Sequence, residues 1–395
     1  MIKTLKAFDL KNRNIIIRVD FNVPMEGDRI QNDFRIRASL PTIETCLESG
    51  SSVVLLSHMG RPKGKYDYKL SLMVVGERLA ELLEMPIKFS KDCISMDAID
   101  TSLSLKPGEV HLLENLRFHK DEEENGKYFS NQLARHGHVF INDAFGTAHR
   151  EHASNCGIAS HFKNSGIGWL MDKELNYLKR YMDKPQHPVT LILGGAKVDT
   201  KLELIDSLLE KVDNILIGGG MAFTFLKAKG KSVGGSLVDN SMLQIGREII
   251  NKALVKGVKI YLPVDVFCGK SIDSKKSLGP FTISSLTHEL AGYDLGPRTI
   301  SIFNEILTTS STILWNGPMG LFESECYQSG TKEIAMHLVD CVKKGSRVII
   351  GGGDTAAAID YLGLMNIMTH VSTGGGASLE LLSGNKLPAI EALDK

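Results

Sequence analysis

This sequence lacks an excess of charge of either sign. Its 395 residues hold 46 Lys+Arg against 46 Asp+Glu. Residues 1–167 are balanced too, with 22 of each sign. A nucleic-acid-binding domain is expected to be basic over a whole face, so that partner is excluded. No apolar run reaches the ~18 residues of a membrane-crossing helix, so no membrane partner is expected. The first residues, MIKTLKAFDLKNRN, lack the unbroken apolar core of a signal peptide, and a cytoplasmic enzyme is expected. The six cysteines (46, 93, 156, 268, 326, 341) form no CxxC and no His/Cys cluster at zinc spacing. They read as reduced, mostly structural thiols. Two phosphate signatures are also missing. GxxxxGK[ST] fails at both GKS tripeptides, where Phe225 and Val264 stand in place of its first Gly, and no GxGxxG occurs.

The chain is instead rich in one junction. Ten times an apolar run of strand length ends in a loop loaded with Gly, Asp, Asn, His or Arg. The first four are IIIRVDFN (15–22), VVLLSHMGR (53–61), VHLLENLRF (110–118) and VFINDAFGTAHR (139–150). Then come TLILGGAKVDTK (190–201), ILIGGGMAF (215–223), IYLPVDVF (260–267), ILWNGPMGLFE (313–323), VIIGGGDT (348–355) and HVSTGGGAS (370–378). Runs without polar alternation suit strands buried on both faces of a parallel sheet. Helical periodicity lies between them at 72–85, 200–212 and 242–257. The reading is α/β, with two doubly wound sheets. Ligands in such sheets sit at the carboxyl ends of the strands, where these loops lie.

The two loop sets differ in chemistry. The first offers Asp20 and Asn22, then Arg35, His58, Arg61, Arg117 and Arg150, with His149 and His152 nearby. Guanidinium forks arriving on separate loops suit one small, doubly charged anion. The second offers glycine pairs and triplets at 194–195, 218–220, 351–353 and 374–376, two of which lead into helical patterns. Phosphate at those helix starts is favoured by free N–H groups and the dipole. Lys197 and Lys201 are candidates for neutralising a transferring phosphoryl group and a nucleotide phosphate. Asp354 can meet a nucleotide-borne Mg²⁺ or serve as the N-cap of the next helix. Glu323 can bond ribose hydroxyls or be a first-turn helix acid.

Taken together and in order, RVDFNVP, SHMGRPKG, LLENLRFH, INDAFGTAHREHAS, LGGAKVDTKL, GGGMAFTFL, PVDV, WNGPMGLFE, GGGDT and STGGGASLELL strongly resemble phosphoglycerate kinases. Trp169, Asp172 and GIASHFK are small departures outside the contact loops. The resemblance implies a monomer of two Rossmann-like domains facing each other across a cleft, closing by hinge bending. It implies an N-terminal domain over 1–168 with 384–395 packing back on it, an inter-domain helix over 169–183, and a nucleotide domain over 184–383. The reaction implied is reversible phosphoryl transfer from 1,3-bisphosphoglycerate to MgADP, giving 3-phosphoglycerate and MgATP, in glycolysis and gluconeogenesis. Asp20, Phe21, Asn22, Arg35, His58, Met59, Gly60, Arg61, Arg117 and Arg150 would hold the phosphoglycerate. Lys201, Gly292, Asn316, Glu323, Gly352, Gly353, Asp354 and Thr355 would hold ADP or ATP, with Asp354 at the metal. Arg35, Lys197 and Gly375 would stabilise the phosphoryl group in flight. Two rivals remain: a ligase passing an acyl phosphate to an amine, and an inactive nucleotide-binding scaffold. The ending NKLPAIEALDK spaces Leu387, Ile390 and Leu393 three apart, an apolar stripe if Pro388 opens a helical turn.

Overall fold

The strand Asn14–Arg18 buries all five of its residues, as does Ser52–Leu56, so neither has a face for water. In the computed structural model, which describes residues 2–196 and 199–394, such runs form parallel sheets between helices. The chain divides into two compact units, 1–176 with 386–395, and 177–385. The division falls inside the helix Trp169–Asp183.

In the first unit six parallel strands run in the order Ile87–Ser90, Val110–Leu113, Ser52–Leu56, Asn14–Arg18, Val139–Asn142, Ser165–Ile167. Ile15 pairs with Val53 on one side and Val139 on the other. The chain thus starts in the middle, builds outward, and returns to the far side of its first strand. That switch point puts the loops after Asn14–Arg18, Ser52–Leu56 and Val139–Asn142 at one end of adjacent strands. The core beneath them holds Ile15, Ile17, Val53, Leu55, Leu112 and Ile141. The two edge strands escape the sequence reading because IKFS is only half buried and SGI spans three residues.

The second unit repeats the plan. Its parallel sheet runs Lys259–Tyr261, Asn214–Ile217, Val189–Leu193, Thr312–Asn316, Arg347–Gly351, His370–Val371. Here the switch lies between Val189–Leu193 and Thr312–Asn316. One expectation needs correcting. The run 260–267 is two strands, because Leu262-Pro263-Val264 breaks it. Asp265–Gly269 then enters a separate antiparallel sheet between Leu278–Thr282 and Ala291–Leu295.

The helical periodicities form Met73–Leu83, Asp199–Leu208 and Leu243–Val255. Helix Phe34–Glu48 carries Arg35 in its first turn. At the chain's end Pro388 opens the short helix Pro388–Glu391. Leu387 and Leu393 are buried, and the Ala389 amide donates to the Ala148 carbonyl at 3.1 Å. Among the described residues no helix is long and apolar enough to cross a membrane.

Candidate active site

In the first unit the anion-binding candidates form one connected group. The Arg35 guanidinium lies 3.1 Å from the Asp20 carboxylate and donates to the Asn22 carbonyl at 3.0 Å. The Asn22 side chain in turn accepts from the Gly60 amide at 2.8 Å, and the Gly60 carbonyl accepts from Arg117 Nη1 at 2.7 Å. Three strand-end loops and the start of a helix are therefore tied to each other by polar side chains. Phe21 and Met59 play the supporting part, with both side chains buried and their amides bound to Ser57 Oγ and Asn115 Oδ1. Arg61 is exposed beside Gly60.

Positive charge outweighs acid here: Arg18, Arg35, Arg61, Arg117 and Arg150 gather around Asp20, Glu122 and Glu123. Burial, then Arg18, lowers the Arg117 pKa to about 10, and Arg150 contributes to the same lowering. Arg117 Nε is buried without a hydrogen bond, with Glu123 at 3.4 Å. His58 is pushed well down, first by burial and then by Arg18, Arg117 and Arg35, so it stands neutral. His152 falls to about 3, again through burial first and Arg117 next. An anion arriving among these groups relieves a repulsion that the fold already carries.

The sequence reading missed the residues behind this face. Arg18 is fully buried, donates to Ser154 Oγ at 2.7 Å and to the Val19 carbonyl, and approaches His58 Nδ1 at 3.3 Å. Glu122, also fully buried, accepts from the Ser154 amide at 3.0 Å and its hydroxyl at 2.6 Å. Arg18 stood in the RVDFNVP run but reads there as the last residue of an apolar strand. Glu122 sits in an acidic run, DEEE, that reads as solvated surface. Neither has a local signal, since only the fold buries them.

In the second unit the glycines divide into two kinds. A Cβ on Gly194 would strike the Gly317-Pro318 backbone, and the Gly194, Gly195 and Gly219 amides donate to the carbonyls of Asn316, Pro318 and Met319. The glycines at 194–195 and 218–219 therefore serve mainly to let three strand-end loops touch. Gly352, at φ 91°, and Gly353 instead open the helix Gly353–Tyr361, which has no side-chain cap. The first N–H groups of an α-helix have no partner within the helix, and with no side-chain cap here they suit an anion. Gly375 precedes the helix Gly376–Leu382 with open space around it.

Lys201, in the helix Asp199–Leu208, folds inward onto the carbonyls of Gly194 and, at 3.3 Å, Asn316. Burial lowers its pKa to about 8 while Asp354 pulls the other way. The Asn316 side-chain amide is buried without a partner. Thr355 is buried, and its hydroxyl accepts from the Gly317 amide at 2.6 Å. Gly292 donates to Ser236 Oγ at 3.0 Å and lies tight against the Phe223 ring. Two expectations change. Gly352, not Asp354, is the N-cap residue, and Asp354 is an exposed acid in the first turn. Glu323 is exposed in a turn rather than in a helix. Lys197 lies outside the described residues.

The family model for phosphoglycerate kinase matches residues 5–385. The phosphoglycerate kinase of Chloroherpeton thalassium is 46% identical over 391 residues, covering 99% of this chain and 98% of that protein. That of Trichodesmium erythraeum is 45% identical over 393 residues, covering 100% and 98%. Among solved structures, phosphoglycerate kinase from Coxiella burnetii superposes with a TM-score of 0.86 at 38% identity, covering 100% of this chain and 99% of the other. The Pyrococcus horikoshii enzyme gives 0.88 at 33% identity, covering 100% and 98%.

Proposed function

The chain belongs to the phosphoglycerate kinase family, and from that premise we propose which of its residues carry the family's reaction. It is a phosphotransferase of glycolysis, moving a phosphoryl group between the acyl phosphate of 1,3-bisphosphoglycerate and ADP. The reverse acceptor is a carboxylate, already ionised at neutral pH, so no general base is required. Catalysis rests on positioning and on charge that is in place before the phosphoryl group moves.

Asp20, Asn22, Arg35, His58, Arg61, Arg117 and Arg150 bind phosphoglycerate. Phe21, Met59 and Gly60 hold the backbone of that pocket. Asp20 and Asn22 meet hydroxyls, the arginines meet phosphate and carboxylate oxygens, and neutral His58 offers a hydrogen bond without adding charge. What chiefly supports this assignment is the surplus of buried cationic groups around Arg117.

Lys201 binds nucleotide phosphate, leaving its two carbonyls when a stronger partner arrives. Gly352, Gly353 and Thr355 present the uncapped helix start to the same phosphates, while Asn316, Gly292 and Glu323 complete the nucleotide pocket. Asp354 fits a nucleotide-bound Mg²⁺, which needs only one or two carboxylates besides phosphate oxygens. When bound, that ion spreads the negative charge of the transferring group. Arg35, Lys197 and the Gly375 loop stabilise the phosphoryl group in flight. The two ligands meet through hinge bending, and the enzyme works as a cytoplasmic monomer.

A coupled assay with ATP and 3-phosphoglycerate alone tests the reading. Turnover is expected without any amine. ATP consumption that requires an amine, or that ignores 3-phosphoglycerate, would overturn it.

A further inference from the structure

Asp92 and Cys93 follow the edge strand Ile87–Ser90, and His119 follows the turn Leu116–Phe118, 26 residues further on. No local spacing joins them, yet their ligand atoms all lie within 4.8 Å of one another. His119 Nε2 stands 3.5 Å from Asp92 Oδ2. Bond lengths to zinc of about 2.1 Å for N and O and 2.3 Å for S give tetrahedral ligand separations of about 3.4–3.6 Å. The Asp–His edge has that length already, and the thiol needs to close in by at most about 1.2 Å to complete the face.

The surroundings hold these groups in place. Asp92 Oδ1 accepts from the amides of Ile94 and Ser95 at 2.6 and 2.9 Å, which leaves Oδ2 turned toward His119. The Cys93 carbonyl accepts from His136 Nε2 at 3.0 Å, and the His119 ring packs on Phe129. Such outer contacts orient ligands before a metal arrives. Cys93 closes the buried side. Asp92 and His119, with 42% and 25% of their side chains exposed, leave an entry and room for a water as fourth ligand. One sulfur, one imidazole nitrogen and one carboxylate oxygen favour zinc-class cations over magnesium.

The geometry points to a binding site for a soft divalent cation, zinc or its cobalt stand-in, formed by Asp92, Cys93 and His119. The thiol proton passes to solvent as the sulfur–metal bond forms. The site is not isolated from the rest of its unit. His119 directly precedes the helix Lys120–Glu123, whose Glu123 faces Arg117 and whose Glu122 holds Ser154. A cation held on His119 fixes the start of that helix and keeps Glu123 against Arg117, so a bound cation weakens the hold on phosphoglycerate. This second half rests on the assignment of Arg117 to that substrate.

Cobalt(II) titration of the full chain, followed by absorption, tests the site without any appeal to activity. One equivalent should produce a thiolate-to-cobalt charge-transfer band. The band should vanish in Cys93→Ser, His119→Gln and Asp92→Asn, and persist in Cys156→Ser, which removes a partly exposed thiol. Cys93 is fully buried, so the His119 and Asp92 variants decide the matter if Cys93→Ser does not fold. Absence of a band, or a band that survives His119→Gln, overturns the site. With zinc added, the KM for 3-phosphoglycerate should rise severalfold in the natural chain and stay level in His119→Gln. An unchanged KM in a chain that shows the band overturns the coupling alone.

Discussion

Arg35 and Asp20 form an ion pair at 3.1 Å among the residues proposed to bind phosphoglycerate, with Asp20 buried and a quarter of the Arg35 side chain exposed. The acid is anchored by the sheet and the base is held by a helix start, so the pair fixes a guanidinium without covering it. The other donors of that guanidinium stay available to a ligand.

Arg35→Ala should lower kcat roughly a hundred- to a thousandfold, the scale of one lost transition-state donor. ADP affinity should be unchanged, because every nucleotide contact proposed lies in the other unit. Calorimetric ADP binding that weakens in step with activity would contradict this division of labour.

Lys201 should take up a proton when nucleotide binds. Burial holds its pKa at about 8, and an arriving phosphate raises it by favouring the charged form. At pH 8 part of the free protein therefore lacks that proton. ADP titrations at pH 8 in buffers of different ionisation enthalpy should report net uptake, and Lys201→Met should remove that uptake while weakening ADP. Equal proton counts in both proteins would show that Lys201 does not meet the phosphates.

Asp143 should make stability fall as pH rises. Burial raises its pKa to about 7, well above that of an unfolded chain. The folded state thus binds more protons between about pH 4 and 7, and the favourable contribution present below that window is lost as pH climbs through it. Asp143→Asn keeps an acceptor for the Met171 amide and should flatten this slope in urea unfolding between pH 5 and 8. A slope identical to that of the natural chain would mean Asp143 ionises freely.

Leu387→Ala should cost about 2–5 kcal/mol of first-unit stability, as for other buried leucines. Removing residues 386–395 should go further and raise the KM for 3-phosphoglycerate. The tail packs on the turn Ala153–Gly157 and bonds to Ala148, two residues before Arg150. ADP binding should be spared. A truncated chain with an unaltered KM would reduce the tail to a stabilising appendage.

Much of this was legible in the residues themselves. Doubly buried strands such as Ile15–Ile17 and Val53–Leu56 point to a parallel sheet, and the loops after the strands sort by residue type into an Arg/His set and a glycine set. The tail helix followed from Pro388 and a three-residue apolar spacing. What escaped depends on distance in space. Arg18 and Glu122 look like a strand end and a surface acid until 136 and 32 residues of separation from Ser154 close up. The glycines at 194–195 and 218–219 look identical to those at 351–353, yet the first two groups serve contact between loops. Asp265–Gly269 lay in a junction read as a strand ending in a loop, because so short an apolar stretch does not record that it joins a second sheet.

The return of residues 386–395 to the first unit has a consequence for synthesis. Domains generally fold as units, the N-terminal one first, while the chain is still being made. Here residues 1–176 emerge early, but Leu387, Ala389 and Leu393 are translated only after the whole of 177–385. The ribosome therefore begins the first unit well before the second and completes it after the second is made. In the interval the surface that receives residues 386–395, next to the loop bearing Arg150, stays open to water.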